Sequence, residues 1–457
     1  MADKDRDDDE VEDDEDWLLD PDAPLFASGA MAAATTTTTT TQEEELPKFL
    51  PPPPLPQAER FDVGFDEPKR KRQVLWSPAL TSTATQTANY HTMYTHQTNL
   101  AAYPRFEFFT PTHHPANTTR HVVLGDLHGN ALKLLYVLIV EGVLDLEVAE
   151  FGTSTGGEMA RKHELYGKLR QLISVPNAPV EVMREFRKLV TDHTKLCCDK
   201  AIVVHFLGDE FADRGQNDYF TVVLLARLAD LPNWEILLSN HGCIFYKYCV
   251  GWMEELDNGD TESASPLTHQ VIAGITGNAM ERATNSLHEF HKTVPKLLYE
   301  EKVVLAKEIV KIIKRLSPMS SITTERTLVV LTHAPVNLDS IRQVYKTCLG
   351  VEPTRHTHVE LSIAEIQNEF RTKFAGKVSQ YSGTGPHSKI ELTFNRVIFP
   401  RLDSLEMRPI AGMAFVHAHD GKVSRQTDYG YCLDNTLGKD LAWTELDDYV
   451  VLVMFAN

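Results

Sequence analysis

The stretch His205–Gly215, His-Phe-Leu-Gly-Asp-Glu-Phe-Ala-Asp-Arg-Gly, constrains this chain more than any other. The apolar run Ala201–Leu207 that leads into it has the length and composition of a strand buried on both faces. It ends at Gly208-Asp209, which puts a carboxylate at the strand's carboxyl end. Four residues on, Asp213-Arg214-Gly215 adds a second carboxylate and a guanidinium suited to bidentate contact with phosphate. Such a turn is poor core material. It suits a place where a metal and a phosphate meet.

Similar chemistry recurs wherever a predicted strand stops. His121–Leu124 runs into Gly125-Asp126-Leu127-His128-Gly129-Asn130, and Trp234–Leu238 into Ser239-Asn240-His241-Gly242. Thr327–Leu331 ends at Thr332-His333-Ala334-Pro335, and Met413–Val416 at His417-Ala418-His419-Asp420-Gly421. Helical patterns lie between, at Ala131–Val143, Met159–Ile173, Val180–Leu189, Asp218–Ala229 and His358–Phe374, while 243–326 reads as mostly helical. There Leu305, Ile309, Ile312, Ile313 and Leu316 share one helical face, away from Lys307, Lys311, Lys314 and Arg315. A core-packed helix with a solvated basic face is the preferred reading, over a helix lying on a membrane. The chain then turns β-rich, with strand candidates at Tyr429–Leu433 and Tyr449–Phe455. Alternating strands and helices predict a mixed α/β sandwich flanked by helices, whose ligands collect at the carboxyl ends of strands.

The net charge of −19 over 457 residues belongs mostly to one end. Residues 1–72 hold 20 acidic and eight basic side chains, a net −12, which leaves −7 for 73–457. Such a balance gives no case for nucleic acid or acidic membranes as partners. Residues 1–72 are expected to be a disordered acidic, Thr-rich and Pro-rich tail, in which Trp17-Leu18-Leu19 and Leu25-Phe26 are candidate docking points. Residues 73–119 read as an N-terminal arm, and 120–457 as a catalytic domain with helical insertions at about 145–200 and 243–326. Six cysteines without zinc-ligand spacing, an acidic amino terminus and no apolar run approaching the roughly 18–20 residues of a spanning helix predict a soluble cytoplasmic protein without signal peptide or membrane span. Pro68-Lys69-Arg70-Lys71-Arg72 has the composition of a nuclear-import signal or of a basic linker patch.

Taken in order, Gly125–Gly129, Gly208–Gly215, Asn240-His241, His333 and Ala418-His419 resemble the motifs of the calcineurin-like metallophosphoesterases. The Asp213-Arg214-Gly215 extension and Tyr431-Cys432-Leu433-Asp434-Asn435 resemble the phosphoprotein phosphatase branch, of which this chain would be a divergent member. The resemblance spans roughly 120–435 and implies a four-layer β-sandwich of the metallophosphoesterase type. It implies two divalent metal ions, manganese, iron or zinc with manganese favoured. Asp126 and His128 would hold the first, Asp209 would bridge, and Asn240, His333 and His419 would complete the second. A metal-bound hydroxide would attack phosphorus in line, Arg214 would neutralise phosphate oxygens, and His241, oriented by Asp213, would protonate the leaving oxygen. The implied substrate is a phosphorylated protein. A nucleotide or dinucleoside polyphosphate hydrolase is the alternative, followed by a metal-binding pseudophosphatase scaffold.

The chain departs from the family pattern at several points. The third motif usually reads Gly-Asn-His-acid, whereas Ser239-Asn240-His241-Gly242 lacks the acid, and Ser239 is expected to strain a turn where glycine would be permissive. His333-Ala334-Pro335 stands where His-Gly-Gly is common. His417 is a further candidate ligand, and Arg355, Arg396 and Arg401 are equal candidates for a second phosphate-binding arginine.

Overall fold

A computed structural model describes residues 91–99, 103, 119–149, 151, 157–197, 202–229, 231–257, 265–324, 327–353, 358–374, 397–398, 400, 405, 407, 409–419, 425–427, 429–434 and 446–456. The acidic tail, Pro68–Arg72 and the three candidate arginines Arg355, Arg396 and Arg401 lie outside them.

Strand β1 (His91–Asn99) precedes β2 (Thr119–Leu124), α1 (Ala131–Val140) and the short β3 (Leu144–Leu146). Helices α2 (Glu158–Ile173) and α3 (Val180–His193) lead through β4 (Thr194–Leu196) to β5 (Ile202–Phe206), α4 (Asp218–Leu228) and β6 (Trp234–Leu237). Five helices follow: α5 (Asn240–Asp257), α6 (Pro266–Ile275), α7 (Asn278–Ala283), α8 (Asn285–Thr293) and α9 (Tyr299–Ile313). Then come β7 (Leu316–Ser317), β8 (Ser320–Thr323), β9 (Leu328–Leu331), α10 (Leu338–Leu349), α11 (Val359–Glu369) and a π-helical turn at Phe370–Phe374. The chain closes with β10 (Met413–His417), β11 (Arg425–Thr427), β12 (Gly430–Cys432) and β13 (Leu446–Ala456).

Two sheets carry the fold. The first runs β1-β13-β2-β5-β6-β7, with β2, β5, β6 and β7 parallel; the second runs β11-β12-β10-β9-β8, with β9, β10 and β12 parallel. Their strands read as continuous apolar runs because both faces are covered. Val122, Leu124, Val204, Phe206 and Ile236 point to the helical side, with Leu134, Leu138, Phe220 and Leu224 in the same cluster. Val123, Leu207 and Leu237 form the other cluster with Val329, Leu331, Val416 and Leu433 of the second sheet, so the two sheets face each other. Burying each such side chain stabilises the fold by about 1.5–3 kcal/mol. A one-residue slip in any central strand would exchange these two sets.

Most predicted elements form within a few residues of their expected limits, and helix α9 packs Leu305, Ile309 and Ile312 into the core. The helical reading fails at its end. Leu316 belongs to β7 rather than to the helix face, and Ser320–Thr323 is strand β8, because Pro318 and the Ser/Thr-rich run after α9 favour extended backbone. Helix α10 and strand β1 lacked a sequence-level assignment; β1 pairs with β13 over nine residues and makes part of the N-terminal arm an edge of the first sheet. Among the described residues no helix is long and apolar enough to cross a membrane.

Candidate metal centre

The parallel strands of both sheets end at one mouth of the sandwich, and every ligand candidate follows such an end. From the first sheet, β2 delivers Asp126 and His128, β5 delivers Asp209, and β6 delivers Asn240 and His241 at the start of α5. From the second, β9 delivers His333, β10 delivers His419, and β12 delivers Asp434. Asp126, His128 and Asp434 offer ligand atoms within 4.8 Å of one another, as do Asp209, His333 and His419, and as do Asp209, Asp213 and His241. Asn240 joins through its Oδ1, 2.9 Å from His333 Nε2. Arg214 Nη1 lies 3.8 Å from Asp213 Oδ1, on a side chain 30% exposed. All nine residues singled out in the sequence therefore gather here, and His419 rather than His417 is the histidine grouped with Asp209 and His333. His417 is buried two residues before it, its Nδ1 3.2 Å from the Ala418 carbonyl.

Holding carboxylates so close together requires unusual backbone. His128, Asp209 and Ala212 all have φ between 53° and 55°, three of the four non-glycine residues with positive φ among those described. Each such conformation costs roughly 1–2 kcal/mol, strain that persists only where the surroundings enforce it. The surroundings are explicit. Asp218 accepts from the Ala212 N–H at 3.1 Å, Ser286 Oγ accepts from the Asp213 N–H at 3.1 Å, and the Ser286 N–H donates to the Asp213 carbonyl at 2.9 Å. Helix α8, within the second insertion, thus buttresses the Asp-Arg-Gly turn. Gly208 has φ +140°, and a β-carbon there would sit 2.4 Å from His333 Nδ1 and 2.6 Å from Ser239 Cβ, so both its conformation and its lack of a side chain are required.

Ser239 corrects an expectation. It is absent from the positive-φ set, and instead of straining the turn its Oγ accepts hydrogen bonds from the N–H groups of Asp209 (2.9 Å) and Gly242 (3.0 Å). Its carbonyl accepts from the Cys243 N–H, so Ser239 caps the first turn of α5 while fixing Asp209. A β-carbon on Gly242 would meet the Ser239 hydroxyl at 2.6 Å, which explains why no larger residue follows His241. A carboxyl is still present nearby: Glu210 Oε2 lies 3.9 Å from that same point. Both Glu210 oxygens are buried without a hydrogen-bond partner, and burial, reinforced by Asp209, pushes its pKa up to about 8.

His128 and His333 each present one nitrogen to the cluster because an acceptor occupies the other. His128 Nδ1 is 3.0 Å from Asp213 Oδ2, leaving Nε2 toward Asp434 Oδ1 at 3.8 Å. His333 Nδ1 is 3.1 Å from the Leu207 carbonyl, and its Nε2 faces Asn240 and, at 3.7 Å, Asp209 Oδ1. Burial opposes a charge on His333, but Asp209 and Asp126 outweigh it and carry its pKa up to about 9. Burial, with Asp209 and Asp434 adding repulsion, lifts Asp126 to about 6. A second correction concerns His241. Its Nδ1 is 2.7 Å from the Ala212 carbonyl, so that carbonyl orients the ring, while the Asp213 carboxylate hydrogen-bonds His128 instead. Against the cost of burial, Asp213 and Asp209 still raise the His241 pKa electrostatically. The charges of His241 and His128 hold Asp213 far below the usual carboxylate range despite its burial.

Divalent cations fit this donor set. Asp126 Oδ1 has no hydrogen bond of good geometry and only a 3.5 Å contact with His333 Nδ1. His333 Nε2 and Asn240 Oδ1 face each other at 2.9 Å, two atoms of the kind that ligate a cation. Oxygen donors from Asp126, Asp209, Asp434 and Asn240 with three imidazoles and no thiolate match manganese, iron or zinc. Sequence reasoning missed Asp434 as a donor, although it ends an identifiable strand. It also missed Lys133, wholly buried on α1, whose Nζ donates to the Asp126 carbonyl. No sequence pattern marks that lysine, because its place on an otherwise apolar helix looks like a solvated position.

Residues 203–439, 237 of the 457, match the family described as WipA-like, phosphatase domain. No curated protein matches the chain. Among solved structures, the phosphatase domain from the Legionella effector WipB is similar at 21% identity with a TM-score of 0.47, over 66% of this chain and 99% of that one.

Proposed function

The chain belongs to the family of WipA-like phosphatase domains and is a phosphatase, and from that premise we propose that it hydrolyses phosphoprotein substrates at a dinuclear metal centre. One observation carries the proposal: two groups of buried Asp and His ligands from two facing sheets, Asp126-His128-Asp434 and Asp209-His333-His419, lie beside His241 and Arg214. In the proposed arrangement Asp126, His128 and Asp434 would hold one cation. Asp209, Asn240, His333 and His419 would hold the other, and manganese is the favoured ion. When bound, such cations activate water and neutralise phosphate oxygens.

The remaining roles belong to the chain's own groups. Arg214, partly exposed, receives a phosphate through its planar fork. Asp213 and Asp209 raise the His241 pKa above its ordinary value, which favours the imidazolium and its proton. With Nδ1 tied to the Ala212 carbonyl, Nε2 is the atom that gives that proton to the leaving oxygen. Asp213 keeps the His128 ring oriented and adds negative charge beside His241.

The test is hydrolysis of p-nitrophenyl phosphate and phosphopeptides by the full chain supplied with manganese. Asp209→Asn should lower kcat by at least about 100-fold on both substrates. Undiminished turnover in that variant overturns the metal-centre reading. Efficient cleavage of dinucleoside polyphosphates alone overturns the phosphoprotein assignment and leaves the metal centre standing.

A further inference from the structure

The inner faces of the two sheets are apolar near the metal-ligand cluster and polar at the other end of the same strands. By the alternation that sends Val123, Leu207 and Leu237 inward, His121, His205 and Glu235 also face the second sheet. His121 Nδ1 lies 2.9 Å from His205 Nε2, and His205 Nδ1 lies 2.7 Å from Glu235 Oε1. The other carboxylate oxygen meets Gln367 Nε2 at 3.2 Å and Arg371 Nη2 at 3.4 Å. Burial would raise the Glu235 pKa, but the His205 hydrogen bond and Arg371 bring it below the usual range, so Glu235 is an anion. This pair forms part of the wall of a cavity of about 600 Å³. The same cavity is bordered by Lys311, Lys314, Arg315 and Arg371.

Four cations and a single carboxylate line this cavity in a protein whose net charge is −19. Lys311 and Lys314 are exposed, with no acidic partner among the described residues. Arg315 is fixed by the carbonyls of Pro232 (3.0 Å) and Leu231 (3.1 Å) and lies over the Trp234 ring, 5.6 Å from its centre. Such preorganisation suits a guanidinium that receives an anion. The cover it gives Trp234, itself only 3% exposed, leaves no open aromatic face for a nucleobase. An ionised acceptor on the wall and cations at the border ask for a ligand with hydroxyls at one end and phosphates at the other. The volume is that of a small-molecule site.

We propose that this cavity is a second binding site, separate from the metal centre, for a polyhydroxylated phosphate ester of the inositol phosphate type. Hydroxyls donate to Glu235, and phosphates bind Lys311, Lys314 and Arg315. A soluble ester and a lipid headgroup present this same chemistry to the site.

The test uses the full chain and the hydrolysis-resistant probe inositol 1,4,5-trisphosphorothioate, titrated calorimetrically beside tripolyphosphate and myo-inositol. Binding of the probe at least about tenfold tighter than tripolyphosphate, and weakened at least about tenfold by Lys311→Glu/Lys314→Glu, is the expected result. Unchanged p-nitrophenyl phosphate turnover in the double variant shows that it is folded. Sedimentation with phosphatidylcholine vesicles, with and without 5% phosphatidylinositol 4,5-bisphosphate, separates the sources: capture only by the phosphoinositide vesicles, competed by the probe, supports a lipid headgroup, and failure of capture with the probe still bound supports a soluble ligand. Equal affinity for tripolyphosphate, binding insensitive to the double variant, or no binding up to about 1 mM probe overturns the proposal.

Discussion

Replacing Ser239 by alanine isolates the joint between helix α5 and the metal-ligand cluster. The hydroxyl accepts from two backbone N–H groups, those of Asp209 and Gly242, and no side chain of alanine can do so. Losing an N-terminal cap costs about 1 kcal/mol. The Asp209 N–H is buried, and leaving such a donor without an acceptor costs about 1–3 kcal/mol more. The sum is about 2–4 kcal/mol of unfolding free energy, read by urea denaturation followed through tryptophan fluorescence in the presence of a chelator. Activity should fall further than stability suggests. Asp209 sits at φ 53° and relaxes once its anchor is gone, and a 1 Å displacement of a catalytic group costs on the order of 100-fold in rate. Ser174→Ala is the control, because that hydroxyl bonds only the Arg170 carbonyl on an exposed helix end, and it should change stability by less than about 0.5 kcal/mol. If Ser239→Ala matches this control in stability and retains wild-type kcat, the coupling of cap and cluster is refuted.

Stripped of metal, the protein should lose stability as pH rises. The folded pKa values of Asp126 (about 6), Glu210 (about 8) and His333 (about 9) are all raised. Their contributions are fully present below the unfolded values and are lost as pH climbs through the folded ones. For Glu210 alone, the rise from 4.5 to about 8 corresponds to on the order of 4–5 kcal/mol, which Glu210→Gln should remove from the pH profile between those values. Binding of manganese near pH 7 should release at least one proton, chiefly from His333, detected as a dependence of calorimetric heat on the buffer's ionisation enthalpy; heats independent of the buffer would contradict this. Asp434→Asn should weaken metal binding by about 10–100-fold while leaving secondary structure intact, and unchanged affinity would remove Asp434 from the ligand set. Gly208→Ala should destabilise by more than about 2 kcal/mol, since a β-carbon would stand 2.4 Å from His333 Nδ1 on backbone at φ +140°; a cost below about 1 kcal/mol would show that this approach is not required.

Much of the cluster is legible in the chain because each ligand sits beside a local signal. Asp126, Asp209, Asn240, His333 and His419 all follow short apolar runs, and the end of a parallel strand is where such a fold can gather polar groups without burying them in its core. Asp213 and Arg214 announce themselves by adjacency. Asp434 has the same signal in weaker form, after a strand of only three residues. Ser239 and Gly242 looked like losses in sequence because their compensation is not local: Glu210 reaches the same space from another strand, and the serine hydroxyl fills it.

The sequence by itself determined which strands are buried on both faces, where each one stops, and which donor atoms stand at those stops, because periodicity and residue chemistry are properties of short segments. Only the tertiary structure decided the rest. The stacking of the two sheets puts His333, His419 and Asp434 against Asp126 and Asp209. It gives the orientation of His241 to the Ala212 carbonyl, pins the Asp-Arg-Gly turn with Ser286 from a distant helix, and buries Lys133 beneath Asp126. The physical reason is that a hydrogen bond or a pKa shift depends on distance through space. Contacts such as the one between residues 213 and 286 leave no periodic trace in the chain that makes them.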